Sequence, residues 1–483
     1  MEKGGKKTSV STDHAVIRPR DIPMIVAESA QILWIKSVAF LRTHFGTLAE
    51  KAFPATAVWS FFLTFAGQGI RNIVGWTNFG LIALATCIVL AAQFLAAGRV
   101  LTVRRFPTAV SAFVLWGSAS VIWSHYPKET LLASALSIAT TGAGIFIALA
   151  FPLHTVLKAL STSLKWMMGL TYVIEAYAAI VVKGAIAPLY MAAWDYIPPS
   201  YYWTHGLLLQ GGPIQGVFGN RNPLAFAALL LMICLAIEYV ERPAIRWRIL
   251  LWSIPTLGIF ALTRSATATV ALIACALIFA VALYLRTLST ERRKHVMRIV
   301  YVCGVAALLI ALIAHTPLTA ALGRDPDLTG RIEIWTRLIE IWRERPILGW
   351  GWIMYWAPWL PMFQTLVIRP DGTPTMQAHN AYIEALFQTG VVGAVLLVIA
   401  VLWVVVQLYR ASLRDLDHDL TPLLAALLMT AMFIQSFSES RLLSEGNWFL
   451  FSAFATWVAV RSAIPEIPVI AQTKGCQDVE ESN

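Results

Sequence analysis

The fold is decided by residues 249–285, ILLWSIPTLGIFALTRSATATVALIACALIFAVALYL. Apart from Arg264 and a few hydroxyl groups, the whole stretch is apolar. As one α-helix it would be about 55 Å long, because each residue adds about 1.5 Å. A bilayer core is only about 30 Å thick, so the stretch predicts two membrane-spanning helices joined by a tight turn at Arg264.

The rest of the chain has the same character. Of its 483 residues, 58% are hydrophobic and 13% are charged, whereas soluble proteins average roughly 45–50% and 25%. Glycine, proline and tryptophan are scattered without a period, which excludes collagen-like, low-complexity and solenoid proteins. The composition therefore excludes a soluble protein and predicts an all-α polytopic membrane protein.

Division into segments of about 20 apolar residues predicts about twelve transmembrane helices. They lie near 54–70, 73–97, 107–124, 131–151, 166–183, 222–240, 247–263, 266–285, 298–316, 384–408, 420–437 and 447–463. The predicted organisation is a disordered cytoplasmic arm (1–24), a segment that fits an interfacial or an ordinary cytoplasmic helix (25–53), spans one to nine (54–316), a large extracytoplasmic loop (317–378), spans ten to twelve (379–463) and a cytoplasmic tail (464–483).

The basic residues agree with this division. If the arm is cytoplasmic, the internal loops on the inner side carry fifteen Lys and Arg, and the short outer loops carry six. Inner loops of membrane proteins are enriched in these residues, so both termini are predicted to be cytoplasmic. The two longest loops, about 184–221 and 317–378, then face outside. Because the net charge of +10 is spread between the spans rather than gathered in one stripe, nucleic acid is not expected as a partner.

No cofactor or metal site is expected. The five cysteines show no CxxC or Cys/His spacing. Asp325-Pro-Asp327 matches the DxD pattern of metal-dependent sugar transferases, but a turn explains it better. The chain has no GxxxxGK[ST] or GxGxxG run that would bind a nucleotide.

Arg264 is a candidate functional residue because of its place between two apolar helices at the outer membrane edge. An arginine at a helix centre costs about 2.5–3.5 kcal/mol on insertion scales, and less near the interface. The alternative is an arginine that reaches the lipid head groups.

Residues 329–346, TGRIEIWTRLIEIWRERP, predict an amphipathic helix on the outer surface, with Trp335, Leu338, Ile339 and Trp342 on one face, Thr329 as its N-cap and its end before Pro346. Its first turn carries Arg331, whose charge is unfavourable at a helix N-terminus. A shared anion such as phosphate would explain this placement. Pairing of Arg331 with Glu333 or Asp327 explains it equally well.

Two further motifs lie at the outer ends of spans. Gln377-Ala-His379-Asn380-Ala-Tyr-Ile-Glu384 opens the tenth span, where a neutral imidazole could act as a general base, although a cap or a solvated histidine is more common. Gly216-Val-Phe-Gly-Asn220-Arg221-Asn222-Pro223 precedes the sixth span, with Asn222 as the predicted cap and Pro223 at N1.

A cluster of aromatic residues follows the predicted amphipathic helix: Trp350, Trp352, Tyr355, Trp356 and Trp359. Such residues are typical of the interfacial belt of a membrane protein. Stacking on sugar rings is the alternative.

These motifs together resemble the O-antigen ligase and polymerase superfamily of bacterial membrane proteins. The resemblance rests on GVFGNRN at 216–222, the turn at Arg264, TGRIEIW at 329–335, RPILGWG at 345–351, HNAYIE at 379–384 and Gly390-Val-Val-Gly393. The GVFGNRN and TGR forms look closest to exopolysaccharide polymerases.

The resemblance implies a GT-C-type helical fold and inverting, metal-independent glycosyl transfer on the outer face of the bacterial inner membrane. The donor would be an undecaprenyl-diphosphate-linked glycan and the acceptor another glycan, with flippase and chain-length regulator proteins as partners. By position, Arg264 and Arg331 would hold the donor diphosphate and His379 would deprotonate the acceptor hydroxyl. Further substrate-binding candidates are Arg221, Asn220, Asn380 and Glu384.

Three functions follow as hypotheses. The first is a polymerase that joins lipid-linked repeat units, and the second is a ligase that passes a glycan to a different acceptor. The third is a secondary transporter or flippase, which the long outer loops and the lack of an acid in Gly98–Phe106 disfavour.

Overall fold

The computed structural model describes residues 22–98, 106–313, 330–369 and 372–463. Its regular structure is helical, apart from two isolated bridges within these ranges. In chain order the α-helices are α1 (Ile22–Phe65), α2 (Gly67–Ala96), α3 (Thr108–Ala119), α4 (Pro127–Ala150), α5 (Leu153–Ala176), α6 (Arg221–Glu241), α7 (Arg246–Thr263), α8 (Ala266–Arg286), α9 (Thr290–Ile313), α10 (Arg331–Trp342), α11 (Pro361–Gln364), α12 (Ala381–Asp415), α13 (Thr421–Ser436) and α14 (Glu445–Ala463).

The chain is a polytopic membrane protein. Within the described ranges, seven helices are long and apolar enough to cross a bilayer: Gly67–Ala96, Pro127–Ala150, Leu153–Val182, Arg221–Glu241, Pro243–Thr263, Ala266–Arg286 and Ala381–Asp415. Two shorter apolar helices cover Thr108–Ile122 and Thr421–Ser436. Seven long and two shorter apolar helices in the described ranges do not establish twelve crossings, so twelve crossings and a GT-C-type fold stay predictions.

The apolar stretch at residues 249–285 divides at the predicted position. Helix α7 ends at Thr263, Arg264 is its C-cap with φ 51°, and α8 begins at Ala266. A non-glycine residue in this left-handed conformation is uncommon. The arginine therefore occupies a tight turn between two apolar helices.

Glycines break two other helices near the predicted outer side. Gly75 in α2 and Gly390 in α12 have φ of 79° and 67°. A Cβ atom at Gly390 would collide with the carbonyl oxygen of Ile347. The backbone N–H of Val391 instead donates to Pro346 O (2.9 Å), and that of Gly351 donates to Gln388 O (2.9 Å). The sequence motifs at 345–351 and 390–393 are thus packed backbone to backbone.

A separate hydrophobic cluster fastens the outer segment to α12. Ile334 and Leu338 of α10 pack there with Trp356, Phe363 and Phe387. The predicted amphipathic helix is present, but its most buried positions are Ile334 and Leu338, one turn apart. Arg331 lies seven residues before Leu338, on the same face of the helix. Because Leu338 packs inward, Arg331 also faces the neighbouring segments.

Two predicted helix caps were wrong. The N-cap of α10 is Gly330, whereas Thr329 and the pair Asp325 and Asp327 lie outside the described residues. Asn220, rather than Asn222, caps α6, because its side chain accepts the backbone N–H of Asn222.

The aromatic cluster does not form a simple interfacial belt. Trp352 and Trp356 are fully buried, and their indole N–H groups donate to Ser137 Oγ (2.9 Å) and Glu384 Oε1 (2.6 Å). Trp359 is exposed. Buried indoles normally find a hydrogen-bond partner, so these two are core anchors.

Candidate active site

Glu439 is the centre of a buried polar cluster near the predicted outer ends of the helices. It lies in the short segment between α13 and α14 and is 4% exposed. Its Oε1 accepts from Arg331 Nη2 (3.2 Å) and Asn222 Nδ2 (3.0 Å). Its Oε2 accepts from Gln377 Nε2 (3.3 Å) and lies 3.1 Å from His379 Nδ1. One carboxylate therefore joins groups from α6, α10 and the start of α12.

The cluster keeps Glu439 ionised. Burial alone would raise the pKa of this carboxyl group, but the charge and hydrogen bond of His379 and the charges of Arg331 and Arg441 outweigh it. The result is a pKa lowered to about 2. An ionised carboxylate can only accept hydrogen bonds.

This charge determines which ring nitrogen of His379 carries a proton. Because Glu439 can only accept, the Nδ1 atom that faces it must carry the proton. In the neutral ring the lone pair is then on Nε2, which is the arrangement of a histidine general base oriented by a carboxylate.

The backbone holds His379 in place at a conformational cost. Its φ of 51° is left-handed, and such residues cost about 1–3 kcal/mol and cluster at active sites. Asn380 follows in an extended conformation and caps α12, with its side chain accepting the N–H groups of Tyr382 and Ile383. The helix therefore begins within the motif that was predicted to open it, and His379 lies just before its N-cap.

Glu384 stabilises the turn at His379 through hydrogen bonds. It is 1% exposed, and its oxygens accept from Ala378 N, Trp356 Nε1 and Ser440 Oγ. Trp335 of α10 donates to Ala378 O (2.8 Å), which ties α10 to the same turn. That Glu384 binds substrate stays a prediction; in the structure it holds Ala378, the residue before His379.

Arg264 lies beside the cluster rather than in it. Its Nη2 donates to Gly211 O (2.8 Å), in the long loop before α6. The next residue, Ser265, donates to Asn222 Oδ1 (3.2 Å), and Asn222 in turn contacts Glu439. Ser265, Asn222 and Glu439 line one cavity, with Phe226, Thr267 and Gln435.

The structure thus brings together part of the predicted site. Arg331 and His379 share Glu439, and Arg264 flanks the cavity that the carboxylate lines. Asn220 is exposed and Arg221 half-buried at the first turn of α6. Within the described ranges, no three His, Cys, Asp or Glu side chains converge as a metal site would require.

Glu439 was missed by sequence reasoning, as were Arg71, Arg441 and Glu445. A signal was present, because Ser436–Glu445 sets two acids and an arginine in a very short outer segment between apolar helices. Acids at such positions need partners when buried. The sequence alone does not show which loops supply them.

Two comparisons with known proteins bear on the identity of this site. Residues 249–398 match the family model described as O-Antigen ligase. The chain is also 25% identical over 338 residues, which is 68% of its length and 71% of the relative's, to the exopolysaccharide production protein ExoQ of Rhizobium meliloti (strain 1021). The resemblance to the O-antigen ligase and polymerase superfamily is confirmed.

These matches support a polysaccharide-related ligase or polymerase in a membrane. The matched stretch runs from α7 into α12 and includes Arg264, Arg331 and His379. Asn222 and Glu439 lie outside it. Arg331 and His379 therefore contact a carboxylate from a segment beyond the matched stretch, whereas Arg264 does not.

Proposed function

We propose that the chain is a polysaccharide polymerase that joins undecaprenyl-diphosphate-linked repeat units on the outer face of the bacterial inner membrane. The observation that carries the proposal is the contact of His379 and Arg331 with one buried, ionised carboxylate, Glu439. A general base and a cation at one point are what glycosyl transfer from a diphosphate requires.

In the proposed reaction, His379 Nε2 removes the proton from the acceptor hydroxyl. The hydroxyl oxygen forms a bond to the anomeric carbon of the donor sugar from the face opposite the diphosphate. The bond between that carbon and the diphosphate oxygen breaks, and the configuration inverts. Undecaprenyl diphosphate leaves with the bonding electrons, and the proton passes from His379 to water.

The other residues offset the charges that this reaction creates. Glu439 stabilises the imidazolium form of His379 and holds its Nδ1–H. Arg331, with Arg264 at the edge of the cavity, neutralises the negative charge on the departing diphosphate. The same chemistry serves a ligase that uses a different acceptor.

The ligase is the second candidate, and the match of residues 249–398 to an O-Antigen ligase model favours it. The relative described as an exopolysaccharide production protein favours the polymerase.

A defined substrate separates the two. We expect purified full-length chain in lipid nanodiscs, given only an undecaprenyl-diphosphate-linked repeat unit, to produce a ladder of longer glycans and to release undecaprenyl diphosphate. Product that forms only after a lipid core or protein acceptor is added would instead identify a ligase. The same reaction with a chelator tests the metal-independent mechanism, which predicts an unchanged rate.

A further inference from the structure

A second group of charged side chains lies close to the first. Glu445, the first residue of α14, accepts from Arg71 Nη2 and Arg441 Nη1, each at 2.9 Å. The side chain of Arg71 is 8% exposed and that of Glu445 is 17% exposed. Arg71 also lies over the rings of Trp76 and Phe79. The group thus carries two positive charges and one negative charge in a sheltered place, and the charge of Arg441 also acts on Glu439.

Two members of this group, Arg441 and Glu445, line a cavity of their own, with Arg71 behind Glu445. The lining includes Arg441, Glu445, Ser444 and Asn447, together with Thr64 and Phe218. Phe226, on α6, lines both this cavity and the one that contains Glu439. The two neighbouring cavities therefore share Phe226, and each is lined by one carboxylate: Glu439, just before α14, and Glu445, at its first residue.

One donor in the second group lacks an acceptor. Within the described part of the chain, the Nε–H of Arg71 is buried and has no hydrogen-bond partner. Buried donors are normally paired, and each exception calls for a reason. The uneven charge and the unpaired donor both suit an anion with several acceptor oxygens.

The proposed polymerisation supplies such an anion. Both reacting molecules carry the same lipid diphosphate, yet only the donor loses it, so the acceptor's diphosphate needs a place of its own. We propose that Arg71, Arg441 and the cavity beside them bind the diphosphate head group of the acceptor lipid. This inference rests on the proposed function and assigns the second substrate to a site separate from Arg331 and His379.

The alternative is an ion triad that only holds α2 and α14 together. The two differ in the role of Glu445. If the arginines bind an anion, the carboxylate competes with that anion, and its removal tightens binding. If the triad is only structural, its removal leaves binding unchanged.

The test measures the binding of farnesyl diphosphate to the full-length chain in phosphatidylcholine nanodiscs. We expect wild type to bind two molecules. Arg441→Gln should weaken one of them about tenfold, which is the value of a charge-assisted contact. Glu445→Gln should tighten the same one by a similar factor, and Arg337→Gln, on the exposed face of α10, should change neither.

Three results would overturn the inference. They are a single site in wild type, an unchanged affinity in Glu445→Gln, and loss of the second site to phosphatidylglycerol or to inorganic diphosphate at equal concentration. The last result would show a general anion site rather than one for an isoprenyl diphosphate. The Glu445→Gln arm is decisive even if Arg441→Gln fails to fold.

Activity separates this inference from the proposed function. With a fixed donor and a varied lipid-linked acceptor, Arg441→Gln should raise the acceptor KM about tenfold and leave the donor KM unchanged. Equal effects on both would contradict a separate acceptor site. If wild type binds two molecules but makes no polymer, the proposed function is wrong, and with it the assignment of the second site to an acceptor.

Discussion

At the residue scale, Glu439 determines what its neighbours can do. It is buried and ionised, and it receives donors from three different parts of the chain. A buried carboxylate without partners would cost several kcal/mol, so the cluster stays assembled only while the donors surround it. For that reason His379 is held in one orientation, with Nδ1 facing the carboxylate.

Replacement of Glu439 by glutamine tests this role. The amide keeps the volume but removes the charge that stabilises imidazolium, so we expect the rate of glycan formation to fall about a hundredfold or more. The apparent KM for the donor should change much less. The measurement is steady-state kinetics of the purified variant in nanodiscs, and a rate within about twofold of wild type would contradict the role.

The low pKa of Glu439 also predicts how stability depends on pH. A carboxyl group whose pKa falls from the ordinary 4.5 to about 2 on folding adds stability above its unfolded pKa and loses it as pH falls through the folded value. The difference in melting temperature between wild type and Glu439→Gln should therefore not shrink between about pH 7 and pH 5, and should shrink below about pH 4. A difference that disappears between pH 7 and pH 5 would show that the carboxyl group titrates there.

The sequence indicated Arg264, Arg331 and His379, but it did not indicate Glu439. Arg264, Arg331 and His379 stand out because each is unusual where it lies, in an apolar run, at a helix start or at a membrane edge. Glu439 looks like any polar residue in a short loop. Its role depends on the tertiary approach of α6, α10 and α12, which local spacing does not encode.

At the element scale, the break in α12 at Gly390 determines how the outer segment packs. The first part of the helix carries Glu384 and Gln388, and the break lets the carbonyl groups there meet the backbone of 346–351. Only glycine fits, since a Cβ atom would meet Ile347 O at a positive φ. The hydrogen bonds by which Glu384 stabilises the turn at His379 depend on this contact.

We expect Gly390→Ala to lower the apparent melting temperature by several degrees. It should also reduce activity, because Glu384 would no longer hold the turn at His379 in place. The matched control is Gly142→Ala in α4, where nothing lies within 4 Å of the added Cβ atom. The control should be neutral or slightly stabilising, because alanine favours helix. Equal melting temperatures for both variants in a detergent thermal-shift assay would contradict the packing argument.

Helix positions were predicted more accurately than helix ends. Apolar runs long enough to cross a bilayer predict helices directly, and the turn at Arg264 followed from length alone. The caps at Asn220 and Gly330 were not predicted, because several polar residues at each start could serve. Likewise, the broken helix at Gly75 carries Arg71 inward, and no periodicity in the sequence marks that turn.

At the scale of the whole molecule, charged pairs lie near both ends of the bundle. Arg293 pairs with Asp417 (2.7 Å) and Arg461 with Asp415 (2.8 Å) at the end predicted to be cytoplasmic. The Glu439 and Glu445 groups lie near the end predicted to face outside. The topology explains the positions of most basic residues. The arginines beside Glu439 and Glu445 are different, because they are placed where they can bind an anion.

The orientation can be tested by cysteine labelling. In a chain with Cys476→Ser, a cysteine at exposed Glu333 should react with an impermeant maleimide on intact spheroplasts, and one at exposed Lys294 only after permeabilisation. The reverse pattern would place the candidate site in the cytoplasm and end the proposal of extracytoplasmic transfer.

The most direct test of the central claim is glycan ladder formation by purified variants that are shown to be folded and inserted. With a defined lipid-linked repeat unit, His379→Ala and Arg331→Ala should each abolish the ladder and the release of undecaprenyl diphosphate. Arg337→Ala, an exposed arginine on α10 that pairs with Glu340, should retain both. A normal ladder from His379→Ala or Arg331→Ala would contradict the account.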